Sequence, residues 1–471
     1  METDDPGLRE HCAKIEQQLQ EAITVVRTLA TSQRVVTTAA ELEALELEVS
    51  EATDRVAGLV VGLVIQQSLI TPEAQESAAL LAKATSRMMK HQGWREVSVR
   101  GVRGDAVRLL TAYWSGKRVG RAKRGSGIYA GLARLGIEHA TTPRLASEVA
   151  RMAAVCGSFH EASVVLEQRA LALDAKTVRA ISYRFAARAR LVRSSRAVAA
   201  STSLAGRRAV VGADGGRIRI RRDKRGPKTK KGRTRYSTHW REPKLLVIYV
   251  VDDRGEMDRE VASVIDGTLR GPDALFSLIA HYLSTLGITE ADTVVFVADA
   301  APWIWRRVPR LVERIGLEAG RVVMVVDFYH AVEHLGRLAS LRKKWTSRER
   351  SRWVTRQRGR LLNGKIDEVI CAIDDLCRGR SSKAMAKERD YFVRNREAMA
   401  YGAIRERKLP IGSGAVESAI RRVVNLRIKG PGIFWHRDHA ESMLMLRAFH
   451  KAGRWDALKQ AAASQSLSVA A

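Results

Sequence analysis

At 471 residues and 45% hydrophobic content, the chain has room for several domains and is too apolar for wholesale disorder. Lys and Arg number 81 against 51 Asp and Glu, a net charge of +30. That excess points to a polyanionic partner, because phosphate contacts release condensed counterions; a solvated basic surface is the plain alternative. The four cysteines, Cys12, Cys156, Cys371 and Cys377, form no CxxC pair, which argues against a disulfide scaffold or a cysteine zinc site.

The start, METDDPGLRE, is acidic and polar rather than a signal peptide. The most apolar run, VAGLVVGLVI at 56–65, is about half the length of a membrane span and reads as a buried helix. These features predict a cytoplasmic, nucleoid-associated protein with no membrane partner.

Residues 8–90 repeat apolar positions at three-to-four spacing and read as a helical assembly region with nothing catalytic. Residues 91–140 mix alternating apolar residues with Gly, Arg and Lys, the pattern of short strands and basic loops. Within them, 117–124 is a candidate phosphate-contacting patch or a solvated loop. Residues 144–192 read as two or three short helices, with Asp174 placed to cap AKTVRAI. A short turn before a helix that starts polar and ends basic has the outline of a helix-turn-helix, although helical hairpins are common.

A Ser-, Arg- and Ala-rich linker follows at 193–206. Then RRAVVGADGGRIRI, KLLVIYVVDD and MDREVASVID read as three strands and GPDALFSLIAHYLSTLG as a helix. TVVFVADAAPW is a strand, IWRRVPRLVERIG a helix with Pro309 inside it, and RVVMVVDFYHAVEHL a strand running into a helix. The order predicts an α/β mixed sheet covered by helices. Residues 339–406 are helical and charged and read as an insertion, after which a GSG loop precedes a helix near Ala415. The predicted division is 1–90 helical, 91–195 DNA-binding, 205–338 and 407–455 catalytic, 339–406 inserted and 456–471 tail.

Two strands that end in acids would set those acids at one edge of the sheet, where such sheets build sites. Asp214 ends the first strand, Asp299 ends the fourth, and Glu417 lies one turn into a late helix. Phosphoryl transfer assisted by divalent metal needs converging hard oxygen ligands of this kind. Each acid also has an ordinary reading. Asp214 beside Gly215 could be turn chemistry, Asp299 a helix cap, and Glu417 a surface acid favoured by a helix N-terminus.

The stretches VGADGG, VADAAPWIW, VVDFYHAVEHL, IGSGAVES and NLRIKGPGIFWH occur in that order. In them the chain resembles bacterial insertion-sequence DDE transposases of the ISKra and ISLre groups, relatives of mutator-like transposases, over about residues 95–455. The resemblance implies a ribonuclease-H-like catalytic fold with a helical insertion before the last acid. It implies Asp214, Asp299 and Glu417 as catalytic residues and as ligands for Mg2+ or Mn2+. Asp327 also ends a buried strand; mutator-like relatives carry a Cys-x-x-His pair there, so Asp327 and His330 are assigned a supporting role. The chain departs from the family near 113–125, where paired cysteines suggest a zinc knuckle in relatives and YWSGKRVGRAKRGSG has none.

Between the first two strands, residues 217–244 carry 13 Lys or Arg and two acids, Asp223 and Glu242. This arm would guide duplex phosphates towards the acids, or stay a solvated loop until DNA binds. Its candidate DNA contacts are Arg217, Arg219, Arg221, Arg222, Lys224, Arg225, Lys228, Lys230, Lys231, Arg233 and Arg235. Arg421, Arg422, Arg427 and Lys429 follow Glu417 and join them. Trp303, Trp305, Trp435 and Tyr329 are the aromatics nearest the motifs, as base-stacking candidates or as core.

The expected function is therefore cleavage of double-stranded DNA at element ends and strand transfer into target DNA. The expected assembly is a homodimer or higher oligomer on DNA. The alternatives are a non-catalytic sequence-specific DNA-binding protein or inactive relic, and a structure-selective nuclease that cuts without joining.

Overall fold

The structure is a computed structural model that describes residues 6–84, 89–116, 127–193, 203–379 and 382–464. The basic patch expected at 117–124 and most of the predicted linker lie outside the described residues. The chain divides into two compact units, Met1–Arg188 with Lys459–Ala471, and Ala189–Leu458. Both are mixtures of helix and strand.

The first unit opens with three helices, α1 (Pro6–Thr31), α2 (Ala39–Ile70) and α3 (Pro72–Lys83). Thr38 and Glu41 form a reciprocal cap that starts α2. An antiparallel hairpin follows, β1 (Met89–Val99) and β2 (Val107–Gly116). Ile15, Leu59, Leu69, Val99 and Leu109 share one core. The buried Gln66 bonds both main-chain groups of Leu110, which fixes α2 on β2 without leaving an orphaned amide.

The apolar run in α2, expected to be buried, is only partly so. Leu59, Gly62, Gln66 and Leu69 are buried while Val60, Val61 and Val64 are exposed. α2 is the one described helix long and apolar enough to cross a membrane by length and composition.

Next come α4 (Ala130–Arg134), α5 (Pro143–Val155), α6 (Phe159–Glu167) and α7 (Ala175–Val192). Asp174 accepts the Thr177 N–H at 2.6 Å, the cap expected from sequence. The outline of a helix-turn-helix is altered, however. Residues 168–174 separate α6 from α7, whereas the tight turn, 156–158, joins α5 to α6.

In the second unit, β3 (Arg208–Gly215) leads into a separate hairpin, β4 (Ile218–Asp223) with β5 (Tyr236–Arg241). The stretch read as one strand is thus two, broken at Gly216. β6 (Lys244–Val251) returns antiparallel to β3, and β7 (Val264–Thr268) pairs antiparallel to β6; the third strand starts later than expected, after MDREVAS. Then follow α8 (Pro272–Thr285), β8 (Thr293–Ala298), α9 (Pro302–Trp305), α10 (Val308–Arg314) and β9 (Val322–Val326). Pro309 sits in the first turn of α10, where its missing N–H costs nothing, so the helix predicted across it is two.

The sheet order is β7-β6-β3-β8-β9, with β8 and β9 parallel to β3. Period-two alternation gives it two faces. Ala209, Val211, Ala213, Val294, Phe296 and Ala298 join Leu275, Ile279, Leu283 and Ile304 in one core on the α8 side. The intervening residues, Gly212 and Asp214 on β3 and Val297 and Asp299 along β8, turn to the other side.

After α11 (Phe328–Ser340) comes the helical insertion: α12 (Ser347–Leu362), α13 (Ile366–Cys377), α14 (Lys383–Arg394) and α15 (Tyr401–Glu406). The chain re-enters the sheet region at α16 (Gly414–Ala419), runs through a π-helical turn (Ile420–Asn425), and ends in α17 (Arg437–Lys451) and α18 (Trp455–Ser464). A buried network holds α17 to the edge strand β7. Arg193 pairs with Asp266 at 2.5 Å, Tyr282 donates to Asp266 at 2.7 Å, and Glu441 accepts from Thr268 at 2.8 Å.

Candidate functional site: four carboxylates at the end of the central strands

Three neighbouring parallel strands end in acids. The register Gly212↔Val297, carried two residues on, sets Asp214 level with Asp299, and Ala298↔Val326 sets Asp299 level with Asp327. Asp214 and Asp299 are half-buried, whereas Asp327 is 1% exposed.

Glu417 arrives from the opposite direction in sequence. α16 packs on β3 and β6, and a Cβ on Gly212 would stand 3.3 Å from that of Val416. The absence of a side chain at Gly212 therefore lets this short helix lie close on the sheet. Glu417 is exposed, and its carboxylate accepts the Ser413 hydroxyl at 3.1 Å.

The electrostatics link these groups. The Asp214 carboxyl is pushed up to about 6, first by burial; the Gly215 N–H works against this, and the charges of Asp299, Glu417 and Glu242 add to it. In sequence, Glu242 is only an acid in the basic arm. Nothing local marks it, because it reaches Asp214 only through the β3–β6 pairing and the bare backbone of Gly215. Its charge is partly met by the buried ammonium of Lys244 at 2.5 Å, which also stands 3.9 Å from the Trp303 ring.

Asp327 does different work. Its carboxylate accepts the N–H of His330 at 2.7 Å, capping α11, and the N–H of Ser413. The link between Asp327 and His330 is thus made by main chain, while the His330 ring turns towards Glu333 at 3.5 Å and His334. His334 stacks on Tyr391 at 3.6 Å and meets Glu388 at 2.5 Å, tying the helical insertion to α11. Burial, with the nearby charges of Asp299 and Asp327, raises the Tyr391 hydroxyl above its ordinary range.

Backbone strain is found at the same place. Ala300, directly after Asp299, has φ 62°. The π-helical turn begins three residues after Glu417, directly where its helix ends, and buried Arg447 donates to the carbonyls of Val423 and Arg422 there. Burial, with Arg427 nearby, lowers the Arg447 guanidinium to about 10.

An oxygen-only donor set with excess negative charge suits a hard divalent cation. Among the described residues, no three acid, imidazole or thiol side chains stand close enough to ligate one ion as they are. Magnesium is commonly held by one or two carboxylates plus substrate phosphates, so the donor chemistry fits an ion completed by substrate.

The basic arm is displayed as expected: residues 222–238 are exposed throughout. Arg217, Arg421 and Lys429 are also exposed, and Arg219, Arg221 and Arg422 half-buried. Arg427 is not available as a phosphate contact. It is 5% exposed, with its guanidinium 5.2 Å from the Trp435 ring. Trp435 is likewise buried, its indole donating to Ile428 at 2.9 Å, because it anchors β4 through main-chain bonds to Arg219 and Arg221. Trp303 and Trp305 pack against the sheet core. Of the four aromatics singled out from sequence, only Tyr329 is well exposed, at 64%. No protein-family model and no curated protein sequence matches the chain.

Proposed function

We propose that this protein is a DNA strand-transfer enzyme of the DDE transposase kind, with a ribonuclease-H-like catalytic domain at 205–338 and 407–455. The observation that carries the reading is the placement of Asp214 and Asp299 at one level on adjacent parallel strands, in the electrostatic field of Glu417. The sheet order, with three antiparallel strands followed by two parallel ones, supports the fold assignment. The arm beside the acids supports a DNA substrate.

In this reading Asp214, Asp299 and Glu417 hold Mg2+ or Mn2+, which supplies activation of the attacking oxygen and stabilisation of the leaving one. Ser413 orients Glu417 through its hydroxyl, and Asp327 holds the loop that carries them both. Arg217, the arm and Lys429 bind phosphates and set the strand against the carboxylates.

The test uses DNA containing the sequences that flank the coding region, with Mg2+ or Mn2+ against EDTA. Wild type should nick and then join strands. Asp214→Ala, Asp299→Ala and Glu417→Ala should abolish both and keep DNA binding. A variant with full activity would remove its residue from the site, and cutting without joining would favour a nuclease.

A further inference from the structure

A cleft of about 530 Å³ opens directly beyond the end of β3, lined by Gly216, Arg217, Trp240, Arg241, Asn425 and Lys429. That volume lies in the range of small-molecule sites. Its chemistry is uneven in an informative way. Three cations border it, and the acid on its wall, Glu242, already carries the Lys244 ammonium.

One wall is aromatic. Trp240 does not stand out in sequence, where it is one residue in a basic arm. It lies opposite Arg219 in the β4–β5 ladder, and the guanidiniums of Arg217 and Arg219 stand 4.9 and 5.7 Å from its ring. Arg219 is itself fixed by donating to the Gly430 carbonyl at 3.0 Å. The indole is thus held in place, yet 49% of Trp240 remains exposed. A large apolar ring kept open to solvent among arginines, beside an acid-lined strand end, calls for a flat, anionic ligand.

A paired base inside a duplex offers no ring face, whereas an unpaired base does. We propose that this cleft receives one unpaired nucleotide of a DNA strand, its base against Trp240 and its phosphate among Arg217, Arg241 and Lys429. The proposal rests on the strand-transfer reading for its substrate. It deepens that reading by assigning a subsite for a frayed or flipped nucleotide next to Asp214.

The experiment measures binding of the full chain, in EDTA, to a labelled blunt duplex and to the same duplex with a short single-stranded tail. Wild type should favour the tailed DNA by roughly tenfold, the size of a base–aromatic stack. Trp240→Ala should bring the ratio near one, and Trp240→Phe should keep most of it. A wild-type ratio near one, or an unchanged ratio in Trp240→Ala, overturns the subsite. If metal-dependent cleavage is nevertheless seen, the enzyme reading survives that failure. Trp240-dependent preference without cleavage supports the subsite and sinks the enzyme reading; failure to bind either DNA overturns both.

Discussion

Asp327 and Ser413, 86 residues apart in the chain, are joined by a carboxylate–amide hydrogen bond that ties the end of β9 to the loop before Glu417. The same carboxylate caps α11 through His330. A buried acid so fully engaged is a clamp, and its removal has a different signature from removal of a metal ligand.

Asp327→Ala strands two main-chain N–H groups and should cost about 2–3 kcal/mol in urea denaturation. Asp327→Asn keeps one acceptor oxygen and should cost less. Below its unfolding temperature, Asp327→Asn should retain cleavage activity that Asp299→Ala lacks. Equal, complete inactivity of a folded Asp327→Asn would promote Asp327 to a metal ligand.

Asp214 supplies a pH prediction. Its carboxyl titrates near 6 in the folded chain against an ordinary value of 3.8. The folded state therefore keeps a proton that the unfolded chain has released, and metal-free stability falls as pH climbs between these values. Asp214→Asn removes that loss. Thermal denaturation in EDTA at pH 7 should show the variant about 1–2 kcal/mol more stable than wild type, discounted for partial exposure, with the gain shrinking near pH 4.

Divalent cation should act in the reverse sense. Mg2+ or Mn2+ binds the deprotonated carboxylates of the folded state and should raise the wild-type Tm, more at pH 7 than at pH 5. Asp214→Asn should lose most of this shift. A shift equal in both proteins would place the cation elsewhere.

Ala300 holds a left-handed backbone immediately after Asp299. Ala300→Gly relieves the Cβ conflict and should stabilise the fold by about 0.5–1 kcal/mol after the entropic cost of glycine. Cleavage should fall if that strain positions Asp299, and the two effects are separable by measuring Tm and rate on one preparation.

The arm predicts a salt dependence. Replacing Arg225, Lys228, Lys230 and Lys231 together by Ala should flatten the plot of log affinity against log salt, by up to roughly 0.9 for each phosphate that the arm no longer neutralises. An unchanged slope would mean that the arm is solvated rather than seated on DNA.

Much of this protein was legible before any coordinates. Hydrophobic runs ending in Asp214, Asp299 and Asp327 mark strand ends, and the density of Lys and Arg at 217–244 marks an arm, because burial and charge are written locally in residue type. The cap at Asp174 was readable for the same reason. What tertiary structure alone decided is which groups meet. Glu242 reaches Asp214 only because β6 pairs with β3 across Gly215, and Val416 seats Glu417's helix only where Gly212 lacks a side chain. Trp435 and Trp240 look alike in sequence, yet main-chain bonding to β4 buries the first and a two-stranded hairpin leaves the second in solvent. Pairing register and the closeness of packed backbones are long-range properties, and no window of neighbouring residues encodes them.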